Sequence, residues 1–75
     1  MRGIVKNLVA NRNFGFIRSS GVEYFFHRED FNGHWDDLTT DIEAKMKVEV
    51  EFEVQQSNKG PRAARVRRLD FPNQA

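Results

Sequence analysis

Hydrophobic and polar residues alternate along much of the chain with the two-residue period of β-strands. The alternation is strict over residues 48–54, where four apolar side chains share one face and three glutamates share the other. Similar stretches predict four more strands, over residues 3–9, 14–18, 22–27 and 63–69. Five short strands without a long helix predict closure into a small all-β barrel, because an open sheet of this size would leave its apolar face in water.

The segments between these strands carry turn-forming residues. Residues 11–13 predict a turn, and residues 19–21 predict a tight hairpin. Residues 32–40 have no apolar period and predict a long loop that carries Trp35, whereas residues 41–46 predict a short helical turn. A further loop is predicted over residues 55–61. We expect a single domain over residues 1–70 and a flexible C-terminal tail over residues 71–75.

The aromatic residues of the second and third predicted strands fall on two faces. Phe14 and Phe16 share one face and Ile17 lies on the other, so a core position for Ile17 directs both rings outward. The same reasoning places Phe25 and His27 together on the next strand. The rings predicted for the core are Tyr24, Phe26 and Phe52.

An exposed group of aromatic side chains predicts a binding surface, because a monomer gains nothing by leaving such rings in water. Unpaired bases stack on aromatic rings with little regard for sequence, at about 1–3 kcal/mol per base. Gly15 lies between two of the rings, which fits a close approach by another strand or a bend at a barrel corner. The pattern therefore predicts binding to single-stranded nucleic acid, whose bases are free to stack.

Charge is distributed unevenly along the 75 residues, although 12 Lys and Arg against 11 Asp and Glu leave a net charge of only +1. Residues 1–28 carry a net charge of +4, residues 29–53 a net charge of −7 and residues 54–75 a net charge of +4. If the two basic ends lie side by side, they form a positive face and the acidic middle faces elsewhere. The alternative is charge that only keeps the protein in solution.

The sequence contains no cysteine, which excludes disulfides and thiolate metal sites and fits a reducing compartment. The first residues reach a second positive charge, Lys6, before any apolar run forms, so we expect neither a secretory signal nor a membrane span. These features predict a soluble, cytoplasmic monomer.

Four motifs, in order and at matching separations, resemble those of the cold-shock domain family. Residues 13–17, NFGFI, resemble its first ribonucleoprotein motif and residues 23–27, EYFFH, its second. Residues 3–6 match its opening strand, and residues 58–66 resemble its Gly-Pro-x-Ala-Ala closing motif. The resemblance implies a five-stranded antiparallel OB-fold barrel that binds single-stranded RNA or DNA as an RNA chaperone or transcription antiterminator.

The resemblance also implies roles for individual residues. The side chains expected to stack on bases are Phe14, Phe16, Phe25, His27 and, from its loop, Trp35. Those expected to follow the nucleic-acid backbone are Lys6, Arg12, Arg28 and Lys59.

The chain departs from the family pattern at several positions. The family usually has tryptophan, phenylalanine, asparagine and glycine where this chain has Asn7, Leu8, Val9 and Asn13. Loss of one stacking ring would weaken binding by about 1–3 kcal/mol unless another group replaces it. Arg28 stands where the family has an aromatic residue, and its planar guanidinium can also stack on a base. The segment over residues 39–47, which carries Asp41 and Glu43, is longer than usual and either screens one end of the groove or binds another partner.

No catalytic site is predicted, because the sequence suggests neither a nucleophile with a positioned base nor a carboxylate pair of separated pKa values. Two histidines, His27 and His34, are too few for a zinc site, and the glutamates of residues 49–53 fit a solvated face better than a magnesium site. We therefore expect no metal, cofactor or small-molecule substrate. The remaining alternative is a protein-interaction module that uses the same aromatic surface.

Overall fold

Five strands close into a barrel in the computed structural model, which describes residues 1–58 and 60–69. The strands are β1 (Arg2–Val9), β2 (Phe14–Ser19), β3 (Val22–His27), β4 (Glu49–Ser57) and β5 (Gly60–Arg68). One helix, α1 (Trp35–Glu43), lies between β3 and β4, and short 3-10 turns occupy Ala10–Arg12 and Arg28–Asp30. The predicted five-stranded barrel is confirmed, whereas the predicted tail over residues 71–75 lies outside the described residues.

The strand order around the barrel is β1-β2-β3-β5-β4, and β4 pairs with β1 to close it. Neighbouring strands are antiparallel except at the seam between β3 and β5, where Phe25 pairs with Arg62 in parallel. This seam brings the C-terminal strand beside the aromatic residues of β3.

The core follows from the alternation of side chains along the strands. Ile17 and Phe26 are fully buried, and Tyr24 and Phe52 are almost so, as the sequence predicts. Val54 is the exception on β4, because 39% of it is exposed. There β4 and β5 continue beyond the barrel as a hairpin paired as far as Ser57 and Gly60, so the loop predicted over residues 55–61 is wrong.

The turn between β2 and β3 is as tight as predicted. Ser19 pairs with Val22, and the two residues between them, Ser20 and Gly21, have positive φ angles of 53° and 80°. Positive φ at both central positions is the geometry whose twist matches that of antiparallel strands.

Helix α1 replaces the loop that the sequence predicts over residues 32–40, and the predicted helical turn over residues 41–46 begins too late. Trp35 and Leu38 are buried and Ile42 packs partly against the core, a spacing of three and four residues that is typical of a helix. Because this stripe has only three members among polar neighbours, it is easily missed in the sequence. The hydroxyls of Thr39 and Thr40 donate to carbonyl oxygens one turn earlier, at 2.9 and 3.0 Å.

The C-terminal end of α1 is closed by two backbone hydrogen bonds. Lys45 has a φ of 62°, and its N–H donates to the Ile42 carbonyl at 2.9 Å, while the N–H of Met46 donates to the Asp41 carbonyl at 3.0 Å. This pattern is a Schellman motif, which satisfies carbonyls that the helix leaves without partners.

A largely buried ion pair joins α1 to β5. Arg68 Nη1 donates to Asp41 Oδ2 at 2.7 Å, and only 5% of the Arg68 side chain is exposed. Asp41 therefore provides much of the compensation that a buried guanidinium requires.

Within the described part of the chain, no helix is long and apolar enough to cross a membrane.

We expect Asp41→Ala to lower the free energy of unfolding by about 1–3 kcal/mol, because Arg68 then loses a charged partner in a desolvated position. Urea denaturation followed by Trp35 fluorescence measures the change. Glu43→Ala is the matched control, since Glu43 lies exposed on the same helix with no ion pair among the described residues. Equal stability of the two variants would show that the ion pair does not hold α1 against the barrel.

Candidate nucleic-acid interface

Four side chains form a contiguous surface on the outer face of β2 and β3, here called the aromatic patch: Phe14, Phe16, Phe25 and His27. Phe16 pairs with Phe25 across the two strands, and Phe14 pairs with His27. The Phe14 and Phe25 ring centroids are 5.3 Å apart, and those of Phe16 lie 5.9 and 6.0 Å from them. All four side chains are half-buried. The sequence-based prediction that they share one face agrees with this geometry.

The absence of a side chain at Gly15 allows Phe14 and Phe16 to take these positions. A Cβ atom at Gly15 would lie 2.5 Å from Leu8 Cδ2, 2.6 Å from the Asn7 carbonyl oxygen and 3.0 Å from Phe26 Cε1. The first two distances are too short for real atoms, and the second is to backbone, so any larger residue would push β1 away from β2. Of the two alternatives predicted for this glycine, a close strand approach and a bend at a barrel corner, the close approach is present.

The turn before β2 is hydrogen-bonded to the residue that follows β3, beside the aromatic patch. Asn13 has a φ of 62°, a conformation that asparagine tolerates better than other residues with a side chain. Its carbonyl oxygen accepts a hydrogen bond of 2.7 Å from the backbone N–H of Arg28. Asparagine in place of the family's glycine is thus compatible with the turn.

The imidazole of His27 is oriented by a local cap. Its Nδ1 accepts a hydrogen bond of 3.1 Å from the backbone N–H of Glu29, and its own backbone N–H donates to Asp30 Oδ2 at 3.0 Å. Because Nδ1 acts as the acceptor, Nε2 carries the proton of the neutral ring. His27 can therefore offer both a ring face and an N–H donor to a nucleotide.

Position 7 continues the row of rings onto β1. Asn7 pairs with Phe16 beyond a register shift that begins at Val5, and its side chain is exposed. Asn7, which stands where the family usually has tryptophan, therefore lies at the edge of the aromatic patch, and a ring at this position would extend the row of rings.

Three basic residues from the predicted set lie exposed around this surface. Arg12 precedes β2, Arg28 follows β3, and Lys6 lies on β1; none forms an ion pair with another described residue. Lys6 lines a groove with Lys45 and Lys47, two lysines that the sequence did not indicate as nucleic-acid contacts. Lys59, also predicted to contact the nucleic acid, lies outside the described residues.

The charge pattern suggested that the acidic middle of the chain faces away from the basic C-terminal segment. The structure instead places acidic residues of the middle beside the arginines of β5. Every arginine of β5 pairs with an acidic residue, in the pairs Arg62–Asp30, Arg65–Glu53, Arg67–Glu51 and Arg68–Asp41. The hydrogen bond from Arg67 and the charge of its guanidinium lower the pKa of Glu51. The prediction that the two basic ends form one positive face is therefore wrong for β5. Strand β4 lies between β5 and β1 and places its glutamates beside the β5 arginines.

Trp35 is placed in the core, not in an exposed loop. Only 5% of it is exposed, and its ring lies 5.9 Å from that of Phe26 and 6.2 Å from that of Phe31, measured between centroids. The stacking role implied for Trp35 is therefore not one that this arrangement offers, because the ring is buried among other side chains.

A groove continues from the aromatic patch at His27 toward the N-terminal end of α1. Its volume is about 670 Å³, and its walls include Arg28, Asp36 and Asp37. The two carboxylates offset the charge of Arg28 in this groove and make it less favourable for phosphate than the strand surface beside it. Within residues 1–58 and 60–69, no three histidine, aspartate or glutamate side chains lie close enough to hold a metal ion.

The barrel and its outward-facing rings define an oligonucleotide-binding class of domain, in which a strand surface receives bases. A family model described as the 'Cold-shock' DNA-binding domain matches residues 1–69. The chain therefore belongs to the cold-shock domain family, a family of nucleic-acid-binding domains. No curated protein matches the chain.

Proposed function

We propose that this domain binds single-stranded RNA or DNA by stacking bases on the aromatic patch, and that it acts in the cytoplasm as an RNA chaperone or transcription antiterminator. The single observation that carries the proposal is the contact of three outward-facing phenylalanine rings, whose centroids lie within 6.0 Å of one another. Apolar rings assembled on an outer surface gain from being covered, and an unpaired base covers one ring face.

The charges around the aromatic patch support the same function. Arg12, Arg28 and Lys6 are exposed and free of ion pairs with other described residues, so their charge is available to phosphates. Arg28 directly follows His27, where its guanidinium can contact a phosphate or stack on a base. Lys59 stays in the proposed set on the resemblance alone.

Substituting the central rings should weaken binding. We expect Phe16→Ala and Phe25→Ala each to cost about 1–3 kcal/mol of binding free energy to a short oligothymidine, because each removes one stacking surface. Fluorescence anisotropy of a labelled oligonucleotide measures the affinity. A duplex of equal length should bind much more weakly to the unsubstituted protein, since its bases are already stacked.

Val22→Ala is the matched control for these variants. Val22 is an exposed apolar residue on the same hairpin, but it lies beside the tight turn, away from the aromatic patch. Unchanged Trp35 emission shows that each variant still folds. If both phenylalanine variants fold and bind as tightly as the control, the aromatic patch is not the binding surface. A protein-interaction module would then be favoured, and its affinity would respond much less to salt than the slope of about −0.7 per phosphate expected for a single strand.

Restoring the missing ring should strengthen binding. We expect Asn7→Trp to raise the affinity for oligothymidine by about 1–3 kcal/mol, or roughly 5- to 150-fold, because the new ring extends the row that contains Phe16 and Phe25. The tryptophan at position 7 should also be quenched by the oligonucleotide, unlike buried Trp35. Asn7→Leu is the control, since leucine adds apolar surface without a ring; equal gains from both variants would contradict stacking at this position.

A further inference from the structure

A second hydrogen-bonded group borders the aromatic patch and is not among the residues that the sequence singles out. The carboxylate of Asp30 accepts two hydrogen bonds through Oδ2, one from the backbone N–H of His27 at 3.0 Å and one from Arg62 Nη2. Asp30 is largely buried, with 17% of its side chain exposed, whereas 35% of the Arg62 side chain is exposed. One carboxylate therefore fixes both a member of the aromatic patch and a neighbouring guanidinium.

Arg62 lies at the edge of the aromatic patch because of the parallel seam between β3 and β5. It pairs with Phe25 there, and its side chain points outward because the next residue, Ala63, is fully buried. Across the outer face the strand pairing runs from Asn7 to Phe16, then to Phe25 and Arg62. A base stacked on Phe25 would therefore have the Arg62 side chain beside it.

The remaining donors of Arg62 suit a base better than a phosphate. Its Nε is buried without a hydrogen-bond partner among the described residues, and one N–H of Nη2 donates to Asp30. The donors open to a ligand are therefore the remaining N–H groups of the two terminal nitrogens. The Asp30 carboxylate balances the guanidinium charge, which reduces attraction to a phosphate. It does not remove the directional N–H groups, which match acceptor atoms on base edges. Holding the side chain in place beforehand also reduces the entropy lost on binding.

We propose that Arg62 is a further nucleic-acid-binding residue that donates to an acceptor atom of the base stacked on Phe25, and that Asp30 is the residue that positions it. This inference rests on the proposed function, because it requires a base on the aromatic patch. An acidic residue, Asp30, would then strengthen binding to a polyanion.

Arg62→Gln should weaken binding to oligothymidine by about tenfold without changing the salt slope, because the lost contact is to a base. Arg62→Lys should weaken it similarly, since lysine keeps the charge but loses the planar group of donors. The matched control is Arg65→Gln, an exposed arginine of the same strand that pairs with Glu53 across β4 and β5 at 3.9 Å. We expect that control to bind almost as tightly as the unsubstituted protein.

The sign of the Asp30→Asn effect is the sharper test. Removing a negative charge strengthens binding to a polyanion if only long-range electrostatics act, whereas loss of positioning weakens it. The amide oxygen of asparagine can still accept from the His27 N–H, but it carries no charge and therefore holds the Arg62 guanidinium more weakly than the carboxylate does. We expect about fivefold weaker binding at about 0.1 M salt and again at about 1 M, where the Debye length falls from about 10 to about 3 Å. Glu53→Gln, with the same charge change, should not weaken binding.

The two substitutions should also be coupled. In the Arg62→Gln background, Asp30→Asn should change the affinity by less than twofold, because there is no guanidinium left to position. Trp35 emission and the circular dichroism spectrum show that each variant folds.

Three results would overturn the inference. They are Arg62→Gln binding as tightly as Arg65→Gln, Asp30→Asn binding more tightly than the unsubstituted protein, and a salt slope reduced by about 0.7, which would identify a phosphate contact instead. The proposed function is judged separately by Phe16→Ala. If that variant binds weakly and Arg62→Gln does not, stacking on the aromatic patch stands and only the role of Arg62 fails.

Discussion

The close approach of β1 and β2 at Gly15 determines both faces of the barrel. On the inner side, the space that a side chain would occupy is filled by Leu8 and Phe26. On the outer side, the same pairing sets Phe14 and Phe16 beside each other and beside the rings of β3. The core and the proposed binding surface are therefore two sides of the same strands. Because protein interiors are close-packed, a change of volume beneath Gly15 should also shift the rings above it.

Ion pairing decides where the positive charge of this nearly neutral chain can act. The closing strand β5 is rich in arginine, yet Arg65 and Arg67 lie opposite Glu53 and Glu51 of β4, so little net charge remains on that side of the barrel. Arg12 and Arg28 lie at the end of the aromatic patch where Phe14 pairs with His27, without such partners among the described residues. Charge summed along segments of the sequence does not reveal this division, because it depends on which strands become neighbours.

The strands, the tight hairpin and the outward orientation of Phe14, Phe16 and Phe25 could be predicted because they depend on local alternation and turn residues. Features that depend on distant contacts could not. Helix α1 is held against the barrel by burial of Trp35 and Leu38, and its apolar stripe is too short to fix the bounds of the helix from sequence. Asp30 and Arg62 are 32 residues apart in the sequence and meet only because β5 joins β3 in a parallel seam that alternation cannot indicate. For the same reason, the contact between Asp41 and Arg68 has no sequence signature.

Burial of Trp35 limits where a nucleic-acid strand can lie. A domain of this size buries only about 60% of its unfolded surface, so a large ring packed against Phe26 contributes to a core that has little apolar area to spare. The proposed stacking surface consequently ends at His27, and the groove beyond it is lined in part by Asp36 and Asp37, which repel phosphate. At the other side of the aromatic patch no such acids separate the rings of β2 from Asn7 on β1. We therefore expect a bound strand to cross β3, β2 and β1 along the row of rings, because continuing over α1 would bring its phosphates against carboxylates.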